Sequence, residues 1–223
     1  MTLITVSASY GAGGSRVAPA LAERLGVPFL GRPPVPATVH PGPEEHACDE
    51  SGGAGPGRLL SRIASLAVSW GTPAGLTLEE LLPDQALRRE IEQEIHDLAA
   101  TGSGVVLGRG AAVILHDDER ALHVLLDGPV EARVRQAMEI EGIDQRTAEQ
   151  RLHRVDRFRR AYIETLYGVD PREPGTCHLV LDSTAFPLDA CVELIVVAAA
   201  ARSAASASGA PGIQVSSASR AAQ

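Results

Sequence analysis

The chain contains no lysine, and each of its 20 basic residues is an arginine. A guanidinium group stays ionised throughout the physiological pH range and holds phosphate or carboxylate oxygens through two parallel hydrogen bonds. Any positive charge at a functional site is therefore expected to come from arginine. The 28 acidic residues outweigh the arginines and give a formal net charge of −8. That balance argues against a protein that coats nucleic acid.

Cysteine is also scarce, and no long apolar run is present. The three cysteines, Cys48, Cys177 and Cys191, are odd in number and lack the spacing of metal ligands. We expect reduced thiols in a cytoplasmic protein and no zinc site. No run reaches the roughly 18–20 apolar residues of a membrane span, and the N-terminus has the pattern of a core strand rather than a signal peptide. No membrane partner is expected.

Short apolar strands alternate with helical patterns along most of the chain. Strands are predicted at residues 2–7, 27–31, 105–108, 121–127 and 177–182. Helices are predicted at 15–25, 58–70, 83–100, about 145–167 and 187–201. Alternation of this kind requires right-handed crossovers between parallel strands. The sequence therefore predicts an α/β fold, with a parallel sheet of about five strands and helices on both faces.

Two segments depart from this alternation. Residues 32–57 are rich in proline and glycine and are predicted to form an irregular insertion. Residues 202–223 are small and polar, so they cannot bury much apolar surface and are predicted to be a disordered tail. A single domain is expected over residues 1–201.

The first predicted strand leads into a glycine-rich turn, YGAGGSR at residues 10–16, which opens a helix. Such turns bind phosphate through backbone N–H groups and the positive end of the helix. In the Walker pattern G-x-x-x-x-G-K-[ST], Ala8 takes the first glycine position, Gly13 the second, Gly14 the lysine and Ser15 the hydroxyl. The backbone part of the motif is present and the lysine is missing. Arg16 is the nearest replacement charge.

Two other interpretations of this turn stay open when it is taken alone. One is an ordinary tight turn, and the other is a dinucleotide-binding turn of the pattern G-x-G-x-x-G. Gly11 and Gly13 fit that pattern, but its third position is Arg16. The second strand ends in Gly31 and Arg32 rather than in the acidic residue that binds a ribose, and Arg32 suits the 2′-phosphate of NADP.

Four stretches, taken together, resemble the cytidylate kinase-like family of P-loop proteins: SASYGAGGSRVAPALAERLGVPFL, VVLGRGAAVIL, the segment from LHVLLDGPVEARVRQ to IETLYG, and HLVLDST. The resemblance spans roughly residues 2–200 apart from the insertion. Members of that family often carry a YGSGG-type loop, which has no lysine. In this respect the loop of this chain resembles theirs. The resemblance implies a P-loop kinase-like fold with a helical lid at about residues 133–165. It also implies ATP and Mg²⁺ as cofactors and a small-molecule nucleotide as substrate.

The resemblance further implies roles for particular residues. Arg109, in LGRG at the carboxyl end of a strand, would hold the phosphate of the acceptor. Lid arginines would stabilise the charge on the transferred phosphoryl group. The residues implied as catalytic are Arg16, Arg133 (with Arg135 as its alternative), Arg154 and Arg157. Those implied to bind the donor are Gly11, Ala12, Gly13, Gly14, Ser15 and Arg16, and those implied to bind Mg²⁺ are Ser15 and Asp127.

The lid segment holds more arginines than this role needs. At helical spacing, Arg151, Arg154 and Arg157 share one face, whereas Arg159 and Arg160 point elsewhere. Asp156 is expected to orient neighbouring arginines. In true cytidylate kinases an Asp and an Arg follow at offsets that here fall on Arg159 and Tyr162, so the resemblance does not imply cytidine as the substrate.

Two functions are carried forward from the sequence. The first is an ATP-dependent phosphotransferase that acts on a nucleoside monophosphate or a similar small acceptor, as Arg109 and the lid arginines indicate. The alternative is a non-catalytic nucleotide-binding or regulatory protein that keeps the kinase fold. The altered loop, the absence of lysine and the insertion at residues 32–57 favour this alternative.

Overall fold

A five-stranded parallel sheet organises the chain in the computed structural model, which describes residues 2–31, 85–171 and 175–208. Within these ranges the strands are β1 (Leu3–Ala8), β2 (Phe29–Leu30), β3 (Gly104–Leu107), β4 (Ala121–Asp127) and β5 (Leu179–Asp182). The helices are α1 (Gly14–Leu25), α2 (Gln85–Ala100), α3 (Ala111–Ile114), α4 (Val130–Glu141), α5 (Gln145–Tyr167) and α6 (Leu188–Ser208).

The strands lie in the order β2-β3-β1-β4-β5, and every neighbouring pair is parallel. The predicted fold class is confirmed. The central strand β1 pairs with β3 on one side and β4 on the other, so the chain changes side between them. In open parallel sheets, ligands bind at the carboxyl edge where the strand order reverses in this way. The glycine-rich turn follows β1 and therefore lies at this position.

Apolar side chains are buried on both faces of the sheet. Along β1, Ile4 and Val6 pack in one cluster with α1 and α6, whereas Leu3 packs in a second cluster with Ile95 of α2. Side chains of successive strand residues point to opposite faces, so both faces of the central strand are covered. Because both faces are buried, the sequences of these strands are continuous apolar runs. None of the helices in the described ranges is both long enough and apolar enough to cross a bilayer.

The closing helix extends further than the sequence predicts. The pattern predicts an end at residue 201, but α6 continues to Ser208, and Arg202 donates a hydrogen bond to the carbonyl oxygen of Glu119. Small residues favour disorder only when they bury little surface, and alanine has the highest intrinsic helix propensity. The insertion at residues 32–57, which includes Arg32, lies outside the described residues, as do the helix predicted at 58–70 and the tail beyond residue 208.

A stacked pair of histidines, of which His123 is buried and His178 is exposed, lies at the amino half of the sheet, away from the glycine-rich turn. His123 on β4 is 2% exposed, and its Nδ1 lies 2.8 Å from the Oγ1 of Thr5. Its backbone N–H donates to Nδ1 of His178, and the two rings stack with centroids 4.8 Å apart. Burial lowers the pKa of His123 from 6.5 to about 4 and also lowers the pKa of His178.

This depressed pKa predicts a loss of stability in acid. The unfolded chain takes up a proton at His123 near pH 6.5, whereas the folded chain does so only near pH 4. The contribution of neutral His123 to the free energy of unfolding is therefore complete above pH 6.5, and it is lost as the pH falls towards 4. Urea unfolding at pH 7 and pH 4.5 should show that the wild type loses roughly 2–3 kcal/mol more than His123→Gln. Equal losses for the two proteins would contradict the assignment.

Candidate active site

Three of the predicted features meet at the carboxyl edge of the sheet. The glycine-rich loop, defined as residues 8–16, connects β1 to α1. The LGRG turn follows β3, and Asp127 is the last residue of β4. Because β3, β1 and β4 are adjacent and parallel, these features line one edge.

The glycine-rich loop contains several backbone N–H groups that have no acceptor among the described residues. Gly11 and Gly13 have φ angles of +77° and +71°, and a Cβ on Gly11 would lie 2.2 Å from the carbonyl oxygen of Arg133. Only glycine fits at that position. No described residue accepts a hydrogen bond from the backbone N–H of Gly11, Gly13, Gly14 or Ser15. These donors surround the N-terminus of the 12-residue helix α1, where an anion is stabilised by the helix dipole.

The packing of the loop explains the missing lysine. A Cβ on Gly14 would lie 2.5 Å from the Cβ of Ala8, which is far inside contact distance. The Walker pattern has glycine at the first position and lysine at the seventh. Here the first position is Ala8 and the seventh is Gly14, so the side chain stands at the first position rather than the seventh. A lysine at residue 14 would therefore require Ala8 or the loop backbone to shift.

Restoring the lysine alone should destabilise the protein. Gly14→Lys should lower the free energy of unfolding by about 1–3 kcal/mol because it overpacks the contact with Ala8. Adding Ala8→Gly should recover most of that loss, and urea unfolding of both variants measures it. Ser15→Lys, at an exposed neighbouring position, is the control for an added lysine. A fully stable Gly14→Lys protein would disprove the steric explanation.

Tyr10 anchors the loop to the two helices of the predicted lid. Its backbone N–H donates to Oδ1 of Asp156 on α5 at 2.8 Å, and its hydroxyl donates to Glu141 at the end of α4 at 2.8 Å. The ring is 8% exposed and packs in a cluster with Val134 and Leu152, among others. Burial raises the pKa of the Tyr10 hydroxyl, as does the hydrogen bond to Glu141. The loop and the helical pair α4–α5 are thus packed together.

Arg133 completes this anchor from α4. Its side chain is buried, and its Nη1 donates both to the carbonyl oxygen of Tyr10 at 2.8 Å and to Oδ2 of Asp156 at 2.7 Å. Its Nε donates to the carbonyl oxygen of Gly128 and lies 3.4 Å from Oδ1 of Asp127. Asp156 therefore orients an arginine and also binds the loop backbone. These contacts give Arg133 a structural role, while its catalytic role stays a prediction.

Breaking this ion pair should destabilise the fold. Asp156→Ala leaves a buried guanidinium without its main partner, which should cost about 3 kcal/mol in urea unfolding at pH 7. Asp156→Asn keeps an oxygen that can accept from Tyr10 and should lose less. Asp117→Ala is the matched control, since that aspartate is fully exposed. If Asp156→Ala matched this control, the pair would not be the anchor.

The other lid arginines differ in their surroundings. Arg154 and Arg157 are exposed on α5, and neither is paired with another described residue. Arg151 is bound to Glu141 at 2.6 Å. The face of α5 that meets the loop instead carries Asp156 and Arg159, and Nη1 of Arg159 donates to the carbonyl oxygen of Ala8. Arg159 thus lies on a different face from Arg151, Arg154 and Arg157, as its spacing predicts, and this other face is the one that meets the loop.

Arg109 lies in a strained turn. Its φ angle is +59°, and its neighbours Gly108 and Gly110 have φ angles of +69° and +75°. A left-handed arginine is uncommon and persists only where its surroundings fix it, as at ligand-binding sites. The Nη1 of Arg109 lies 2.6 Å from Oε2 of Glu94 on α2, and its Nε is buried with no hydrogen-bond partner in the described ranges. The side chain is 10% exposed, so Arg109 is directed towards α2.

A second arginine–glutamate pair lies on the same helix. Arg88 donates to Glu92 at 2.7 Å and lies over the ring of Tyr167 at 4.7 Å. A Cβ on Gly110 would approach that ring to 2.9 Å, so the LGRG turn packs against the end of α5. The predicted acceptor side is thus lined by two arginines, each already neutralised by a carboxylate.

The residues predicted to bind Mg²⁺ lie at the same edge. Ser15 is exposed on the first turn of α1, next to exposed Arg16. Asp127 has a buried Oδ1 without a hydrogen-bond donor among the described residues, although Arg133 lies 3.4 Å away. Within the described ranges, no group of three or more His, Cys, Asp or Glu side chains could hold a metal. One carboxylate and one hydroxyl fit Mg²⁺ that also binds water and phosphates.

Comparison of the sequence with models of known protein families identifies a family to which the chain belongs. The sequence model described as the Cytidylate kinase-like family matches residues 3–185. A cytidylate kinase from Methanopyrus kandleri is 28% identical over 138 residues, which cover 56% of this chain and 70% of that protein. A uronate isomerase from Corynebacterium glutamicum is 27% identical over 116 residues, but these cover 52% of this chain and only 22% of that protein.

A solved structure shares the fold. A gluconokinase from Sinorhizobium meliloti superposes with a TM-score of 0.52 and 20% sequence identity, covering 94% of this chain and 98% of that one. At this identity the likeness concerns the fold alone. It agrees with the five-stranded parallel sheet described above.

Proposed function

The chain belongs to the cytidylate kinase-like family, and on that premise we propose that it transfers a phosphoryl group from ATP to a nucleoside monophosphate or a similar small acceptor. The observation that carries the proposal is the glycine-rich loop, where the N–H groups of Gly11, Gly13, Gly14 and Ser15 have no acceptor among the described residues. Four backbone donors at a helix N-terminus favour a bound polyphosphate.

The donor would lie along the loop, at the end of β1. The loop N–H groups would bind the phosphates, and Arg16 on the first turn of α1 would add positive charge. Mg²⁺ held by Ser15 and Asp127 would neutralise charge on the phosphate oxygens. Phosphoryl transfer requires little covalent chemistry from the protein, because positioning and charge stabilisation dominate the barrier.

The acceptor would lie between the LGRG turn and α5. Its phosphate would compete with Glu94 for the guanidinium group of Arg109, whose Nε has no partner within the described part of the chain. Because an arginine forms two parallel hydrogen bonds to a phosphate, such an exchange can replace the ion pair without leaving the buried charge alone. Arg154 and Arg157 are exposed on a different face of α5 from the one that meets the loop, so closure of the helical lid would bring them to the transferred group.

One observation favours the alternative of a nucleotide-binding protein without turnover. Each arginine on the acceptor side, Arg88 and Arg109, is already paired with a glutamate. A site whose arginines are paired has zero net charge. Such a site binds a doubly charged phosphate less strongly than a site with an unpaired arginine does. Measured turnover therefore decides between the two functions.

The test is ADP formation from ATP and Mg²⁺ with a panel of nucleosides and nucleoside monophosphates. Arg109→Ala should lower kcat/KM for the true acceptor by roughly 10- to 100-fold, because a charged hydrogen-bonding group is lost from its phosphate. The affinity for ATP should stay unchanged, as measured by calorimetry. Arg120→Ala removes the same charge from an arginine bound to Asp118, beside the amino end of β4, and should leave turnover unaffected.

Two other results would overturn this assignment. ATP binding without turnover on any acceptor would identify a non-catalytic binder. Equal loss of activity in Arg109→Ala and Arg120→Ala would show that Arg109 has no special role in binding the acceptor.

A further inference from the structure

The last strand of the sheet is followed by a serine that contacts the glycine-rich loop. Ser183 comes directly after β5, and both Ser183 and Ala12 of the loop are completely buried. The hydroxyl of Ser183 donates to the carbonyl oxygen of Ala12 at 2.7 Å. The backbone N–H of Ser183 donates to the carbonyl oxygen of Asp127 at 3.1 Å, so the serine is itself fixed to the end of β4. The loop is therefore bound to the ends of β4 and β5.

The distances decide which oxygen accepts the hydroxyl proton of Ser183. A serine hydroxyl has one proton to donate. The carbonyl oxygen of Asp127 lies 3.3 Å from the hydroxyl and already accepts the backbone N–H of Ser183, whereas that of Ala12 lies at 2.7 Å. The proton therefore goes to Ala12. Because this bond is buried, its loss leaves a carbonyl oxygen without a partner.

The bond to the Ala12 carbonyl also sets the direction of the Gly13 N–H. These two groups belong to one planar trans peptide unit, so they point in opposite directions. The carbonyl points to Ser183, and the N–H of Gly13 therefore points away from Ser183. That N–H has no acceptor among the described residues and is one of the four donors assigned above to the phosphates.

Glycine makes this peptide unit easy to rotate. Rotation of the unit changes the φ angle of Gly13, which is +71°, and glycine adopts φ angles of either sign at little cost. A rotated unit would present a carbonyl oxygen in place of the N–H, and the oxygens of a phosphate repel a carbonyl oxygen. The hydrogen bond from Ser183 therefore stabilises the orientation in which this unit binds an anion.

A second peptide unit of the loop has the same arrangement. The carbonyl oxygen of Tyr10 accepts from the buried side chain of Arg133. The N–H of that unit belongs to Gly11, whose φ angle is +77°, and it has no acceptor within the described ranges. Two alternate peptide units, each ending in a glycine, are thus held through the carbonyl oxygen by a buried side chain. Arg133 holds one from α4, and Ser183 holds the other from the end of β5.

We propose that Ser183 is a positioning residue that directs the N–H of Gly13 towards the phosphates of the donor. The inference rests on the proposed function for the identity of that donor, a nucleoside triphosphate. It gives a role in the site to the segment HLVLDST, in which Ser183 is the next-to-last residue.

A matched pair of variants separates this role from a contribution to stability alone. Ser183→Ala removes the hydroxyl that binds the loop. Thr5→Val is the control, because it removes a hydroxyl that is also buried but is bonded to His123 rather than to the loop. Ser183→Cys keeps a weak donor at the same position. Calorimetry with Mg²⁺ measures the affinity for ATP and for inorganic tripolyphosphate, thermal unfolding measures stability, and ADP formation gives KM for the acceptor.

We expect Ser183→Ala to weaken the binding of ATP and tripolyphosphate by roughly 3- to 10-fold, because rotation of the peptide unit makes part of the population incompetent to bind. KM for the acceptor should stay unchanged. Ser183→Cys should lose less affinity, and Thr5→Val should bind both ligands like the wild type although it also unfolds at a lower temperature.

Equal affinities for ATP in Ser183→Ala and Thr5→Val would overturn the inference and leave Ser183 as a contact of the fold alone. If Ser183→Ala does not fold, the comparison of Ser183→Cys with Thr5→Val decides the question in the same way.

The same measurements separate this inference from the proposed function. If the wild type binds ATP but transfers no phosphoryl group, and Ser183→Ala still weakens binding, phosphotransfer is wrong and the role of Ser183 stands. If the wild type turns over and Ser183→Ala retains full affinity, the role of Ser183 is wrong and phosphotransfer stands. A wild type that binds neither ATP nor tripolyphosphate would overturn both.

Discussion

The ion pair between Arg133 and Asp156 is the contact on which the candidate site depends. The pair joins α4 to α5. The backbone N–H of Tyr10 donates to Asp156, and the carbonyl oxygen of Tyr10 accepts from Arg133. A glycine-rich loop loses much conformational freedom on folding, so it needs strong contacts to hold one conformation. Burying two charges costs desolvation energy, and here extra hydrogen bonds to the backbone offset that cost. One pair thereby fixes the loop and both helices.

The arginines of the site fall into two groups according to their partners. Arg109, Arg133 and Arg151 are each bound to a carboxylate and hold elements together. Arg154 and Arg157 are exposed and have no ion-pair partner among the described residues, so they can bind a ligand without first losing one. A kinase-like phosphotransferase without lysine thus has arginines bound in structural ion pairs and exposed arginines that would be available to a ligand. The surroundings of each arginine distinguish the two groups.

The sequence predicts the fold well and the site only in part. Apolar β-branched runs bounded by glycine mark strands close to their observed positions, because burial on both faces of a parallel sheet requires such runs. Helical spacing shows that Asp156 and Arg159 share a face, but it cannot show that this face meets the loop. The pair of Arg109 with Glu94 joins two different elements and has no local signal. Its recognition needs the tertiary structure.

The close approach of Ala8 to Gly14 couples these two positions of the loop. A side chain at residue 14 forces Ala8 or the loop backbone to shift, because the two Cβ atoms would lie 2.5 Å apart. Glycine at residue 8 removes that contact, so the cost of a side chain at residue 14 depends on the residue at position 8. The order in which two such substitutions arise therefore changes the stability of the intermediate protein.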